Sequence, residues 1–349
     1  MNEDTPPTVE RGTGNLPVLA SEQRGQVARA TGSAFGGKNF LSHYARQFGT
    51  FAGLVGLCAV LWILTPHFLT VSNLLNVAQQ TAINAIIAVG LTFVIISGGI
   101  DLSVGSIVAL SGVVLASLLQ RGLPYPVAIL GGLGVGFGCG LVNGVLITFG
   151  RLPPFIATLG LMSVARGGAL LYTDGRPISG FGPAFRWLAI GEVVFLPVPV
   201  VVMAIVYAIA HVVLRRTPFG RYAYAIGGNE EAALLSGVPV RFHKTMVYAV
   251  CGTLSALAAV ILTARLNSAQ PIAGMNYELD AIAATVIGGT SLMGGQGSVI
   301  GTLIGALIMG VLRNGLNLVG VSSFTQQLVI GAVIIVAVLM DMAFKQPKR

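Results

Sequence analysis

The chain has 349 residues, of which 54% are hydrophobic and 9% charged, with a mean hydropathy of +0.83. A soluble domain carries about 25% charged residues, so this chain cannot cover a water-facing surface, and the bilayer is the solvent to assume. The excess of Lys and Arg over Asp and Glu, 20 against 12, gathers at the N-terminus (Arg11, Arg24, Arg29, Lys38, Arg46), in one central stretch (Arg215, Arg216, Arg221, Arg241, Lys244) and at the C-terminus (Lys345, Lys348, Arg349). That distribution sets membrane topology and argues against a nucleic-acid partner.

Residues 1–46 are polar and rich in Gly, Pro and Ser, with no compact apolar core of a cleaved signal peptide. They read as a disordered cytoplasmic tail, with the first apolar segment as an uncleaved anchor. Stretches long and apolar enough to span then follow at 48–65, 74–96, 102–119, 127–149, 155–172, 194–214, 245–264, 279–293, 299–312 and 325–344. The pattern predicts an all-α integral membrane protein with about ten transmembrane helices over 47–344 and a short basic tail at 345–349. The eighth and ninth segments are short and read either as plain helices or as a broken, re-entrant pair.

An even number of spans puts both termini on one side, together with the central basic loop. That side holds 14 of the 20 basic residues and is cytoplasmic by the positive-inside rule. Tyr172–Pro197 becomes the largest external loop and Arg215–Lys244 the largest internal one. A weak repeat links Ile96-Ser97-Gly98-Gly99, leading to Gly105-Ser106, with Ile287-Gly288-Gly289, leading to Gly297-Ser298. Both copies sit between an inward and an outward span, which makes the halves parallel pseudo-repeats.

Gly132, Gly136, Gly140 and Gly144 recur every four residues and place one helical face open to close backbone packing, a spacing that Gly301 and Gly305 repeat. Asp101, in a polar break with Ser103, either caps the third span or contacts solute. Arg166 interrupts the fifth span near its outer end, where it either snorkels in a structural role or lines a pathway. Asn84 and Asn143 are either interhelical hydrogen bonders or pathway-lining groups. In the internal loop, Asn229 is suited to an N-cap, Glu230 and Glu231 to a first turn, and Gly237 with Pro239 to a stop, so a short helix outside the membrane is specified. It is either a surface helix or a docking helix. Cys58, Cys139 and Cys251 each lie in apolar sequence and read as small buried hydrophobes. No catalytic residue, metal cluster or phosphate-binding loop is legible: Gly294-Gly295-Gln296-Gly297-Ser298 lacks the lysine and the spacing.

The run Ala88–Ser106, the external Tyr172-Thr173-Asp174-Gly175-Arg176-Pro177-Ile178, and Ile287–Ser298 resemble the ribose-type monosaccharide ABC transporter permeases, which share their architecture with branched-chain amino-acid permeases. The resemblance runs from the first span to the C-terminus. It implies a multi-pass protein of the bacterial inner membrane that forms a homodimer or heterodimer of permease chains. Its partners would be a cytoplasmic ABC ATPase, which carries the ATP and Mg, and a periplasmic sugar-binding protein; this chain would hold no cofactor and would not be an enzyme. In that family a loop carrying Glu-Ala-Ala, with a Gly four residues beyond, docks into the ATPase. Glu231-Ala232-Ala233 and Gly237, with Glu230 beside them, match it. The rivals are an amino-acid ABC permease, a self-contained secondary transporter and a channel.

Overall fold

The computed structural model describes residues 38–345; the tail expected at 1–46 lies outside that range up to residue 37, as do residues 346–349. The described residues form thirteen helices: α1 (Lys38–Leu64), α2 (Val71–Ile96), α3 (Val104–Gln120), α4 (Tyr125–Thr148), α5 (Pro154–Thr173), α6 (Pro183–Ile190), α7 (Val198–Arg216), α8 (Pro218–Gly228), α9 (Glu230–Leu235), α10 (Val240–Leu266), α11 (Tyr277–Ile287), α12 (Val299–Leu318) and α13 (Ser323–Lys345). The only strands among them are four two-residue pieces, β1 (Ile178–Ser179), β2 (Glu192–Val193), β3 (Leu196–Pro197) and β4 (Ser268–Ala269), so the chain is an all-α membrane protein. Six helices, α2, α4, α5, α7, α10 and α12, are long and apolar enough to cross a membrane, and Phe48–Leu64, α3 and Ser323–Leu339 are shorter apolar helices.

Sequence decides where each helix stops. Thr70 accepts a hydrogen bond from the Asn73 amide at the start of α2, and Ser298 does the same for Gly301 at the start of α12. Proline occupies the first positions of α4, α5, α6, α7 and α8, where its missing N–H is not needed. The apolar run 194–197, expected inside the sixth span, is instead a β2–β3 hairpin: Val194 and Phe195 hold φ of 50° and 66° at its tip, and α7 begins at Val198. Hydropathy could not separate hairpin from helix there, because Val, Phe and Leu serve both.

Two helices make the centre. In their most apolar stretches α2 is 83% buried and α10 72%, against 22% for α5 and 28% for α4. The outer helices leave large apolar side chains such as Ile63, Val164, Leu171 and Ile209 exposed, a surface that only lipid or another membrane chain can cover. Between α4 and α10 the glycine face of the sequence does what its spacing predicts. A Cβ on Gly136 would strike the Gly252 carbonyl, one on Gly140 the Tyr248 carbonyl, and one on Gly144 would sit 2.6 Å from the Thr245 Cα. Gly301 and Gly305 similarly lie on the Gly288 and Ala284 carbonyls, which binds α12 to α11. Lipid offers no hydrophobic drive between helices, so this close backbone approach supplies the van der Waals contact that holds them.

Candidate coupling site and interior polar sites

Asn229 leaves α8 in extended conformation, and its side chain accepts from the Ala232 amide at 2.9 Å, the N-cap expected from sequence. Glu230 and Glu231 occupy the first turn of α9, and Glu230 Oε2 receives the Lys244 ammonium at 2.9 Å, tying α9 to the base of α10. Of the Ala pair, Ala233 is buried against Ile226 and Val240, whereas Ala232 is exposed. Glu231, Leu234 and Leu235 face outward, the last two 60% and 82% exposed. Gly237 ends the helix at φ +83°, a conformation costly for any residue with a side chain, although a Cβ there would meet open space.

The root of α9 is held from behind. Gly227, next to last in α8, lies where the α2–α3 break meets the α11–α12 loop: the Gly295 amide donates to the Ile96 carbonyl at 2.8 Å, bridging the two glycine runs of the sequence repeat. A Cβ on Gly227 would collide with the Ile96 carbonyl and sit 2.6 Å from the Gly295 nitrogen. Tyr224, one helical turn earlier, donates to the Gly297 carbonyl at 2.8 Å, and burial pushes its hydroxyl pKa up to about 12, so it keeps its proton. No sequence signal pointed to Gly227, because its role is set by residues 131 and 68 positions away, Ile96 and Gly295.

Asp101 is fully buried in the loop between α2 and α3. Its Oδ1 accepts from the Ser103 amide at 2.9 Å and from the Ser103 hydroxyl at 2.6 Å, and Asn143 Nδ2 donates to Ser103 Oγ at 2.9 Å. Asp101 thus satisfies the amide of the N-cap residue itself; Ser103 makes no side-chain cap bond into α3. Burial pushes the Asp101 carboxyl above its ordinary value, with hydrogen bonds from Ser103, Cys251 and Asn143 pulling the other way. Arg166 donates through Nη1 to the Pro271 and Ala273 carbonyls at 2.9 and 2.7 Å, fastening the loop before α11 to α5. Asn84 Nδ2 points to Asp280 Oδ2 at 3.3 Å, beside an Asp280–Arg313 ion pair of 2.6 Å. Neither member of that pair was singled out in the sequence. Asp280 opens a short apolar stretch and Arg313 lies one residue past the expected end of another, so each looked like a boundary charge.

A helical bundle of this build, with large apolar side chains on its outer face, a set of buried polar groups in its interior and a short, largely exposed helix beside it, is a multi-pass membrane permease. Residues 73–338 match the family described as branched-chain amino acid transport system / permease component. The ribose import permease protein RbsC of Bacillus subtilis is 54% identical over 85% of this chain and 92% of its own length. RbsC of Escherichia coli K12 is 48% identical over 89% and 98%, and the D-allose transport system permease protein AlsC of the same strain 41% over 84% and 91%. The chain belongs to this family of ribose-type ABC permeases of the bacterial inner membrane. No solved structure matches it.

Proposed function

We propose that the chain is the membrane subunit of an ATP-driven importer that takes a monosaccharide from a periplasmic binding protein to the cytoplasm. Two permease copies form the pore, and an ABC ATPase docks on α9. The solute class is supported by relatives named for ribose, allose and galactose/methyl galactoside import, the first at about half identity. The family description names branched-chain amino acids, which keeps an amino-acid solute as the second reading.

The observation that carries the coupling role is the contrast between the two sides of α9. Outward it offers Glu231, Ala232, Leu234 and Leu235; inward, through Asn229 and Gly228, it joins a glycine wedged against backbone from both repeats. Closure of the ATPase dimer would move α9 as a rigid body, and Gly227 would pass the motion to the α2–α3 break and the α11–α12 loop together. Ten crossings with both ends cytoplasmic are supported by the charge division and by which segments meet. The loops expected outside pair as β1 with β4, and the turns expected inside gather around Gly227.

The test is uptake by vesicles holding the permease alone, with its ATPase, and with both ATPase and sugar-loaded binding protein. ATP-dependent accumulation only in the last is expected. Accumulation by the lone permease would make it a secondary transporter, and ATP-driven uptake of a branched-chain amino acid in place of sugar would move the solute to the second reading.

A further inference from the structure

Three polar atoms at the α2–α3 break are buried with no hydrogen-bond partner among the described residues: Asp101 Oδ2, Asn143 Oδ1 and the Tyr248 hydroxyl. They come from the break itself, α4 and α10, and all three side chains are fully buried. Packing brings them to one place. Asn143 Nδ2 lies 3.5 Å from Asp101 Oδ1 and donates to Ser103 Oγ at 2.9 Å. Gly99, two residues before Asp101, rests on the Tyr248 hydroxyl so closely that a Cβ there would strike it. Gly140, one turn before Asn143, rests in the same way on the Tyr248 carbonyl.

No base answers this carboxyl. Among the described residues, the acids paired with a base are Glu230, with Lys244, and Asp280, with Arg313. The groups facing Asp101 are Ser103 from the break, Asn143 and Cys139 from α4, and Tyr248 and Cys251 from α10, and none carries a positive charge. An isolated buried carboxylate is too costly to keep, so it must meet a cation or take a proton.

Counting donors separates the two. With Asp101 ionised, Oδ2 and Asn143 Oδ1 both need a donor, and the Tyr248 hydroxyl can serve only one of them. The Cys251 thiol beside the carboxyl is a weak donor and brings no charge to set against it. A proton on Oδ2 makes two strong donors for two acceptors: Asp101 Oδ2–H to the Tyr248 oxygen, and Tyr248 O–H to Asn143 Oδ1. A proton also needs no room, in a site where Gly99 and Gly140 already press their backbone onto Tyr248.

We propose that Asp101 binds a proton and keeps it at neutral pH, donating through Tyr248 to Asn143, so that a neutral acid clamps the α2–α3 break to α4 and α10. The break starts after Ile96, whose carbonyl meets Gly227 and Gly295, so the clamp steadies one side of that joint. It does not depend on which solute is carried.

The assay is infrared difference spectroscopy on the complete reconstituted transporter at neutral pH, wild type against Asp101→Asn. The wild type should show the C=O stretch of a protonated carboxyl that Asp101→Asn lacks. Tyr248→Phe keeps the acid and removes the hydroxyl that accepts its proton, so the same band should remain and move. Because an amide can donate where the acid does, Asp101→Asn should also keep wild-type melting and uptake. No carboxyl difference between wild type and Asp101→Asn, or a band that Tyr248→Phe leaves unmoved, would overturn the relay. An Asp101→Asn protein that fails to fold or to transport would show that the site needs the charge, and would overturn it as well. Melting that rises with added sodium or potassium in the wild type, and not in Asp101→Asn, would assign the charge to a bound alkali ion instead.

Discussion

Alanine placed at Gly227 and, separately, at Gly228 compares two adjacent glycines with opposite surroundings. At Gly228 an added Cβ meets nothing within 4 Å, and alanine favours the helix end, so the change should be neutral or stabilising by a few tenths of a kcal/mol, roughly. At Gly227 the same methyl overlaps the Ile96 carbonyl oxygen and lies 2.6 Å from the Gly295 nitrogen. Both obstacles are backbone and neither can rotate aside. Relief requires α8 to back out or the two glycine loops to part, and parting them breaks the 2.8 Å bond from Gly295 to Ile96. Overpacking of this kind costs about 1–3 kcal/mol, and the lost buried hydrogen bond adds about 1 kcal/mol. Thermal unfolding of the detergent-solubilised transporter reads the first effect. The ratio of sugar imported to ATP hydrolysed reads the second, because a displaced joint should let the ATPase turn over without moving solute. Gly227→Ala with wild-type melting and a wild-type transport ratio would refute the idea that this glycine joins α9 to the core.

Glu231→Lys puts a cation at the positive end of α9, where the local cost should stay below about 1 kcal/mol because the side chain is exposed. ATPase co-purification and uptake should nevertheless fall sharply at unchanged membrane abundance, and retained association would sink the docking role. Gly140→Ala drives a methyl into the Tyr248 carbonyl and should destabilise by about 1–3 kcal/mol, whereas Gly138→Ala has open space and should be silent. Melting of the two variants side by side checks that the α4–α10 contact is set by backbone approach.

The long helices and the short α9 were legible because their signals are local. A span is visible in one run of apolar residues, and α9 in the order Asn229, Glu230, Glu231, Gly237, Pro239. The glycine face of α4 was legible for the same reason. What joins these pieces was not. Asp280 and Arg313 stand 33 residues apart, and Asn84 reaches across 196 residues, so neither partnership leaves a periodic trace. The repeat was visible as two similar glycine runs, but similarity of sequence does not say that the copies touch, which they do through Gly295 and Ile96. The hairpin at 194–197 was hidden for a further reason. A β-branched residue at positive φ runs against propensity, so nothing in Val194 or Phe195 announces the turn that they make.

The long reach from Asn84 to Asp280 has a consequence for how the protein is made. Helix α2 leaves the ribosome early, yet the residues that meet its polar face, on α11 and α12, are the last third of the chain. At about 5–20 residues per second, the 196 residues between Asn84 and Asp280 take on the order of 10–40 s to synthesise. For that interval the central helix sits in the membrane with the Asn84 amide unmatched by its own chain. Biogenesis must therefore shelter α2 until its partners arrive.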